Sequence, residues 1–276
     1  MTVKISSDAN PANVERFAGF ADLYDAYRPQ PPRELITVLT QLARMDRPRL
    51  VVDLGSGTGL STSFWAEHSE RVIGIEPGAE MRALARARQN ANGSARNVEF
   101  REGSSSRTDL PDECADIVTC SQSLHWMEPA ATFAESARIL RDGGVFAAYD
   151  CDWPPIIDWE AQRAYEEFMT HAETLGNARG FYPGVVRLDK AGHLARMRAS
   201  GKFRYVNEMV LHHVETGNAP RLIGIALSQG GVATLLKRGL SESEIGVDQL
   251  RERAQRLLGE KLSRWYFCYR VRIGIK

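Results

Sequence analysis

The sequence predicts an α/β protein with a doubly wound, mostly parallel sheet. Two observations lead to this prediction. In the first half of the chain, short apolar runs rich in β-branched residues alternate with helix-like segments, as in successive strand–helix–strand units. The first run ends in a cluster of glycines immediately before a helix, which is typical of a buried parallel strand. Right-handed crossovers are therefore expected between the strands.

Five strands are predicted in the first half. They are RLVVDLG (49–55), RVIGIEP (71–77), VEFREG (98–103), ADIVTCSQ (115–122) and VFAAYD (145–150). Helices are predicted between them over 60–69, 79–93 and 129–144. The second helix is expected to end at Asn92–Gly93, and the third begins with Pro129 and ends at Gly143–Gly144.

The second half loses this alternation and adds two more strands. Residues 155–200 are predicted as helices interrupted over 176–184, and residues 219–260 are again helical. The segments 202–215 and 263–276 are predicted as strands because they alternate or are rich in aromatic and β-branched residues. A core sheet of seven strands with a helical cap inserted late in the chain fits this order.

Composition excludes several classes of function. The chain has 276 residues, of which 43% are hydrophobic, and its 35 basic and 35 acidic residues balance, so no global field attracts nucleic acid or an anionic membrane. Four scattered cysteines without a CxxC pair do not predict a disulfide framework or a zinc site. No apolar window approaches the roughly 20 residues that span a bilayer, and the first residues are polar, so we predict a cytoplasmic protein.

A glycine-rich turn after the first strand predicts a ligand site. Gly55, Gly57 and Gly59 lie at the carboxyl end of that strand, where open α/β sheets bind ligands, and glycine lets a ligand approach the backbone closely. Glu76 ends the second strand, where a carboxylate can accept hydrogen bonds from both hydroxyls of a ribose. Leu60 stands where the dinucleotide fingerprint requires glycine, so a nicotinamide-dependent enzyme is disfavoured. The ligand class that still fits these residues is an adenosine-type molecule without a phosphate chain.

These motifs resemble those of class I S-adenosylmethionine-dependent methyltransferases. The resemblance rests on VVDLGSGTG (51–59), VIGIEP (72–77), LPDECADIVTCSQSLHWMEP (110–129), ARILRDGGVFAAYD (137–150) and FADLYDAYRPQPPREL (20–35). It covers approximately residues 17–150 and points to the small-molecule branch with a type-11 methyltransferase domain, which includes trans-aconitate and quinone-biosynthesis enzymes. It implies a Rossmann-like sheet whose last strand is antiparallel, with S-adenosyl-L-methionine as cofactor.

The resemblance also implies a division of the chain and a set of site residues. Residues 1–45 would form an N-terminal helical lid, 46–150 the S-adenosylmethionine-binding core, 151–260 a substrate cap with the sixth strand, and 261–276 the final core strand. The implied cofactor contacts comprise the methionine-side residues Asp53, Gly55, Ser56 and Gly57, the ribose partner Glu76, the adenine neighbours Pro77, Met81, Ser104 and Ser105, the methyl-donor residues Ser121, Gln122 and Ser123, and the lid residues Tyr27 and Arg28.

Candidate catalytic and substrate-binding residues follow the fourth and fifth strands. His125 is the candidate general base, with pocket shaping as its alternative role, and Trp126 is expected to form a pocket wall. Asp150 and Trp153 are expected either to contact substrate or to belong to a rigid turn into the cap. No metal site is predicted, and His193 is expected at the surface.

The function that fits this pattern is methyl transfer to a small molecule, with O-methylation of a carboxylate or hydroxyl favoured. C-methylation is a close alternative, and a cofactor-binding protein with a repurposed or sensing role is a second class. Residues 121–124 read SQSL where N-methyltransferases of adenine or glutamine often carry NPPY, which argues against those substrates. The expected partner is a small-molecule methyl acceptor, with no nucleic acid and no membrane, and the sequence leaves the oligomeric state open.

Overall fold

A single seven-stranded sheet organises the part of the chain that the structure describes, residues 10–15, 21–91 and 96–276 of a computed structural model. The strands are β1 Val51–Leu54, β2 Val72–Ile75, β3 Val98–Arg101, β4 Ala115–Ser121, β5 Leu140–Cys151, β6 Tyr205–Gly217 and β7 Ser263–Ile275. Their order across the sheet is β3-β2-β1-β4-β5-β7-β6. β7 runs antiparallel to both of its neighbours and the other pairs are parallel, which confirms the predicted fold class.

Helices connect the strands and cover both faces of the sheet. They are α1 Pro11–Glu15, α2 Ala21–Tyr27, α3 Glu34–Ala43, α4 Leu60–Phe64, α5 Ala79–Ala91, α6 Pro129–Ile139, α7 Trp159–Ala178, α8 His193–Ala199, α9 Ala219–Leu227, α10 Gly230–Lys237, α11 Glu242–Ile245 and α12 Val247–Leu257. Neighbouring residues of one strand enter different cores: Val51 belongs to the larger core, and Val52 to the smaller one on the other face. This alternation produces the two hydrophobic layers of a doubly wound sheet.

The boundary between α6 and β5 differs from the prediction. The predicted helix runs to Gly144, but α6 ends at Ile139 and β5 begins at Leu140, whose ψ of 136° is extended. Arg141 explains the early end, because its guanidinium donates to the buried Asp116 carboxylate and to the Ala43 carbonyl oxygen. These long-range bonds hold the segment in an extended conformation that local sequence does not indicate.

The helices that follow β5 form two groups along the chain. α7 and α8 lie between β5 and β6, and α9 to α12 lie between β6 and β7. Buried residues of α7, α9 and α12 belong to the larger core, so this helical material packs on the sheet face and not only at its edge. The domain boundaries given above stay a prediction.

Some predictions lie outside the described residues. These are the helix end at Asn92–Gly93 and residues 1–9 and 16–20 of the predicted lid. Among the helices that are described, none carries an apolar stretch long enough to cross a bilayer.

Candidate functional site

The glycine turn after β1 forms the floor of a cleft at the carboxyl ends of the parallel strands. Gly55 and Gly57 have φ angles of 67° and 54°, in the left-handed region that favours glycine. A Cβ on Gly55 would lie 2.8 Å from the Ser123 side chain, whereas one on Gly57 would meet nothing within 4 Å. The turn is therefore tight against β4 on one side and open to the cleft on the other.

Glu76 ties this turn to the end of β2. Its carboxylate accepts hydrogen bonds from the Gly57 amide at 2.9 Å and from the Gly78 amide at 2.8 Å. The side chain is buried, and burial raises the pKa of Glu76 above its usual value. A carboxylate has about four lone-pair sites, so two remain for hydroxyl groups of a ligand.

Asp53 lies beneath the turn and not on the cleft surface. It is fully buried, and its two oxygens accept hydrogen bonds from the Thr62 and Thr119 hydroxyls, each at 2.8 Å. In this position Asp53 supports the turn from below. Burial raises the pKa of this carboxyl from 3.8 to about 6 although both hydroxyl bonds oppose the shift.

Replacing Asp53 with asparagine is expected to remove a pH dependence of stability. Between about pH 4 and 6 the folded protein holds a proton that the unfolded chain has lost, so the free energy of unfolding falls as pH rises, by about 3 kcal/mol in total. Asp53→Asn should therefore unfold at higher urea concentration than wild type at about pH 8 and show little advantage near pH 4. Parallel pH profiles for the two proteins would contradict this prediction.

The turn after β4 supplies the opposite wall. Ser123 donates to the Leu54 carbonyl oxygen at 2.8 Å and so joins β4 to the end of β1. Gln122 has a φ of 52°, unusual for a residue other than glycine, and its amide oxygen accepts from the Lys190 ammonium at 3.1 Å. This strained backbone directs the side chain that follows β4.

The cleft brings together most of the residues that the sequence indicates. It encloses about 1450 Å³ including its open mouth, and the predicted residues that line it are Arg28, Gly55, Ser56, Gly57, Glu76, Pro77, Met81, Ser104, Ser105, Ser121, Gln122, Ser123 and Trp126. The predicted residues outside this lining are Tyr27, Asp53, His125, Asp150 and Trp153.

The N-terminal segment forms a roof over the cleft. Asn13 is buried; its side-chain amide donates to the Val186 carbonyl oxygen at 2.8 Å, and its side-chain oxygen accepts from the Val186 amide at 3.0 Å. Asp25 of α2 accepts from the Thr58 hydroxyl at 2.7 Å, which fixes this segment to the glycine turn. The predicted lid position is consistent with these contacts.

Arg28 and Tyr27 are neighbours in the sequence, but Tyr27 does not line the cleft. Arg28 lines the cleft, donates to the Ser228 carbonyl oxygen and lies 5.0 Å from the centre of the Trp153 ring. Tyr27 packs against Gly224, where a Cβ would lie 2.1 Å from its ring. Tyr27 therefore anchors α2 to α9, and Trp153 supports Arg28 from behind.

A buried ionic network lies beyond the wall that Gln122 forms. Asp150 pairs with Lys190 at 2.9 Å and with Arg272 at 3.0 Å, and its Oδ1 is 3.5 Å from Nδ1 of His125. Burial alone would raise the pKa of Asp150, but the neighbouring His125 and Lys190 hold it below its usual range, so the carboxylate is ionised. Glu208 completes the network as the second partner of Arg272, at 2.9 Å.

His193 belongs to the same network, so its expected surface position is wrong. The side chain is fully buried, and its ring centre is 6.5 Å from that of His125. Lys190, His193 and Arg272 carried no motif in the sequence, and only the fold brings them together. By the alternation of β7, Arg272 lies on the face opposite to Trp265, Phe267, Tyr269 and Val271, together with the partly buried Cys268 and Arg270, so the pattern of this strand gave no signal for its burial.

The contacts of this cluster disfavour a metal ion. One ligand atom each of His125, Asp150 and His193 lie within 4.8 Å of one another, close enough to share an ion. Arg196 donates to Nδ1 of His193 at 3.1 Å, so this nitrogen accepts and the ring proton lies on the other nitrogen. The Asp150 carboxylate already balances two cations. We interpret the cluster as an ion network, and the prediction of no metal site stands as a prediction.

The family model for the methyltransferase domain matches residues 52–148, which run from β1 through β5. The match identifies residues 52–148 as a methyltransferase domain, similar to those of the class I S-adenosylmethionine-dependent methyltransferases.

Relatives of this methyltransferase domain agree in sequence and fold. The Saccharomyces cerevisiae protein named probable S-adenosylmethionine-dependent methyltransferase CRG1 is 25% identical over 182 residues, or 65% of this chain and 62% of that protein. The chain spans about half the length of several curated relatives that it matches. A solved structure from Anaeromyxobacter dehalogenans, assigned as a type II methyltransferase, is 20% identical with a TM-score of 0.66 and covers 90% of this chain and 98% of that one. The [4+2]-cyclase SpnF shares the fold at 15% identity and a TM-score of 0.53, over 99% and 98% of the two chains.

The residues of the cleft fit S-adenosylmethionine. The open side of Gly57 leaves room that a Cβ would occupy, Glu76 retains acceptor sites for hydroxyl groups, and the buried Ser56 hydroxyl has no hydrogen-bond partner among the described residues. Glu76 would hold the ribose, Pro77 and Met81 would flank the adenine, and the turn at 55–57 would meet the methionine moiety. The cleft thus offers polar groups with which this cofactor could form hydrogen bonds.

Proposed function

We propose that the chain is an S-adenosylmethionine-dependent methyltransferase that acts on an oxygen of a small molecule, either a carboxylate or a hydroxyl. The observation that carries the proposal is the Glu76 carboxylate, which is bound to the Gly57 and Gly78 amides beside an open glycine turn. The roof of α1 and α2 supports a small acceptor, because it covers the cleft and leaves room for a compact molecule.

The residues of the chain contribute alignment and exclusion of water. S-adenosylmethionine, when bound, supplies a methyl group activated by a sulfonium. Ser121, Gln122 and Ser123 form the wall opposite the glycine turn, and Asn13 closes the roof, so that an acceptor is held in line in a partly dry cleft. Such alignment can supply much of the rate acceleration of a displacement reaction.

His125 is expected to shape the cleft and not to act as a general base. Its ring is buried and outside the cleft lining, and burial lowers the pKa of His125 to about 4. His125→Asn should therefore lower turnover by less than about tenfold, below the 10²–10⁴-fold that loss of a general base typically costs. Turnover is measured with methyl-labelled cofactor against pH. A loss above about 100-fold, together with a missing limb of the pH profile, would restore His125 as the base.

The proposed activity is tested by incubating the protein with methyl-labelled S-adenosylmethionine and fractionated metabolite extracts. We expect a labelled product whose label is released as methanol by mild base if the acceptor is a carboxylate, and retained if it is a hydroxyl. Label retained on carbon would support C-methylation. Calorimetry with S-adenosylhomocysteine and with NAD accompanies this experiment, and binding of NAD alone would overturn the assignment.

A second candidate is a cofactor-binding protein that catalyses another reaction or acts as a sensor. The occurrence of the same fold in the cyclase SpnF favours keeping this candidate, because methyl transfer does not follow from the fold. Binding of S-adenosylhomocysteine with no labelled product from any extract would support this second function over the first.

A further inference from the structure

The Lys190 side chain connects the buried ion network to the cleft wall. Its ammonium donates to the Gln122 amide oxygen at 3.1 Å and lies 2.9 Å from Oδ1 of Asp150. Asp150 is fixed in turn by Arg272, which is 2% exposed. A continuous row of charged and polar groups therefore leads from β7 through β5 to the residue that follows β4.

This contact determines which end of the Gln122 amide faces the cleft. An ammonium group only donates hydrogen bonds, so the atom beside it must be the amide oxygen. The amide nitrogen then lies on the side away from Lys190, and no bond from it to a described residue is present. Gln122 is one of the residues that line the cleft, and we infer that its two N–H groups are donors to a bound molecule.

The order of the strands indicates which molecule meets these N–H groups. Along the carboxyl edge the sequence of strands is β2, β1, β4 and β5. Glu76 follows β2 and the glycine turn follows β1, so the cofactor spans these two positions on the proposed function. Gln122 follows β4, at the methyl-donor end of the cofactor site that the sequence predicts, and Lys190 comes from the segment after β5, on the side where an acceptor would lie.

We propose that Lys190 is a positioning residue that orients the Gln122 side-chain amide to donate hydrogen bonds to an oxygen of the methyl acceptor. The proposal rests on the proposed function for the identity of the bound molecule. The Asp150 carboxylate holds Lys190 in place, and Gln122 makes the contact. The acceptor class is a molecule with a hydrogen-bond-accepting oxygen beside the methylated atom.

The test compares Lys190→Met with Lys190→Arg and with the exposed control Lys202→Met. Lys202 precedes β6, whose first residue Tyr205 pairs with Ile275 of β7. Ile275 pairs in turn with Val145 in the first half of β5, so Lys202 lies towards the amino ends of the parallel strands, away from the cleft. Lys190→Met is expected to raise the KM for the acceptor about tenfold, the effect of one positioned hydrogen bond, with unchanged affinity for S-adenosylhomocysteine. Lys190→Arg should recover part of the loss, and Lys202→Met should behave as wild type.

A double variant separates positioning from a direct contact. If Lys190 acts through Gln122, then Lys190→Met combined with Gln122→Met should be no worse than Gln122→Met alone. Additive losses would show that Lys190 contacts the acceptor itself and would overturn the positioning role.

A readout that needs no acceptor keeps the inference separate from the proposed function. In ¹⁵N-labelled protein loaded with S-adenosylhomocysteine, the Gln122 side-chain amide is identified by its absence in Gln122→Met. Its order parameter should fall in Lys190→Met and stay unchanged in Lys202→Met. If the order parameter of the Gln122 side-chain amide is unchanged in Lys190→Met, the positioning role of Lys190 is overturned even if no acceptor is ever methylated. If the order parameter falls but the KM for the acceptor is unchanged, the proposed hydrogen bond from Gln122 to the acceptor is overturned. Absence of any labelled product with wild type overturns the proposed function alone.

Discussion

Glu76→Ala is expected to weaken binding of S-adenosylhomocysteine by about 1–3 kcal/mol, which corresponds to roughly 5- to 150-fold in Kd. The substitution removes the acceptor for the Gly57 and Gly78 amides as well as the proposed ribose partner. The cleft then loses a ligand contact and the bond that fixes the turn to β2. Calorimetry with the purified protein measures the change.

Glu70→Ala is the matched control for this variant. Glu70 is exposed and precedes β2, whereas Glu76 follows the same strand. The control should bind S-adenosylhomocysteine as wild type does. Equal affinities for all three proteins would refute the role of Glu76 in the cleft.

Arg272→Leu is expected to lower the free energy of unfolding by about 3–5 kcal/mol, because it leaves two acids of the ion network without their shared partner. Arg272 bridges Asp150 at 3.0 Å and Glu208 at 2.9 Å, and it is 2% exposed. Asp150 keeps Lys190 and Glu208 keeps Arg270, but each acid loses one cation and one hydrogen-bond donor, and a buried carboxylate with fewer partners is costly. Urea unfolding at neutral pH measures the change.

The control and the coupled variant use the same strand. Arg264→Leu replaces an exposed arginine of β7 and should change stability little. Adding Asp150→Asn to Arg272→Leu should recover part of the loss, because it removes one of the two carboxylates that Arg272 neutralises. The network has no stabilising role if Arg272→Leu and Arg264→Leu unfold at the same urea concentration.

The donor half of the cleft could be predicted from sequence because its residues lie in short contiguous motifs. Gly55 and Gly57 predict a turn with left-handed backbone angles after β1, and Glu76 follows β2. Because β1 and β2 pair in parallel, the contact between this turn and the Glu76 side chain follows from the sequence. The same reasoning gives Gln122, which follows the next strand of the edge. Local pattern is sufficient where adjacent parallel strands end together.

The ion network of Asp150, Lys190 and Arg272 beside Gln122 could not be predicted in this way. Lys190 lies 68 positions from Gln122 in the sequence, and Arg272 lies 122 positions from Asp150. His193 resembled a surface residue because its helix is rich in arginine, yet tertiary contacts bury it. Likewise, β5 begins at Leu140 because of the distant Asp116. In each case the partner that determines the outcome is remote in sequence.

The paired hydrogen bonds between Asn13 and Val186 join the roof to the segment that leads to Lys190. Because Asn13 both donates to and accepts from one residue, the two segments cannot separate by loss of a single bond. If a bound molecule leaves past Asn13, we expect both segments to move together. We therefore expect variants of Asn13 to change both the residence time of a bound molecule and the selectivity among molecules that enter the cleft.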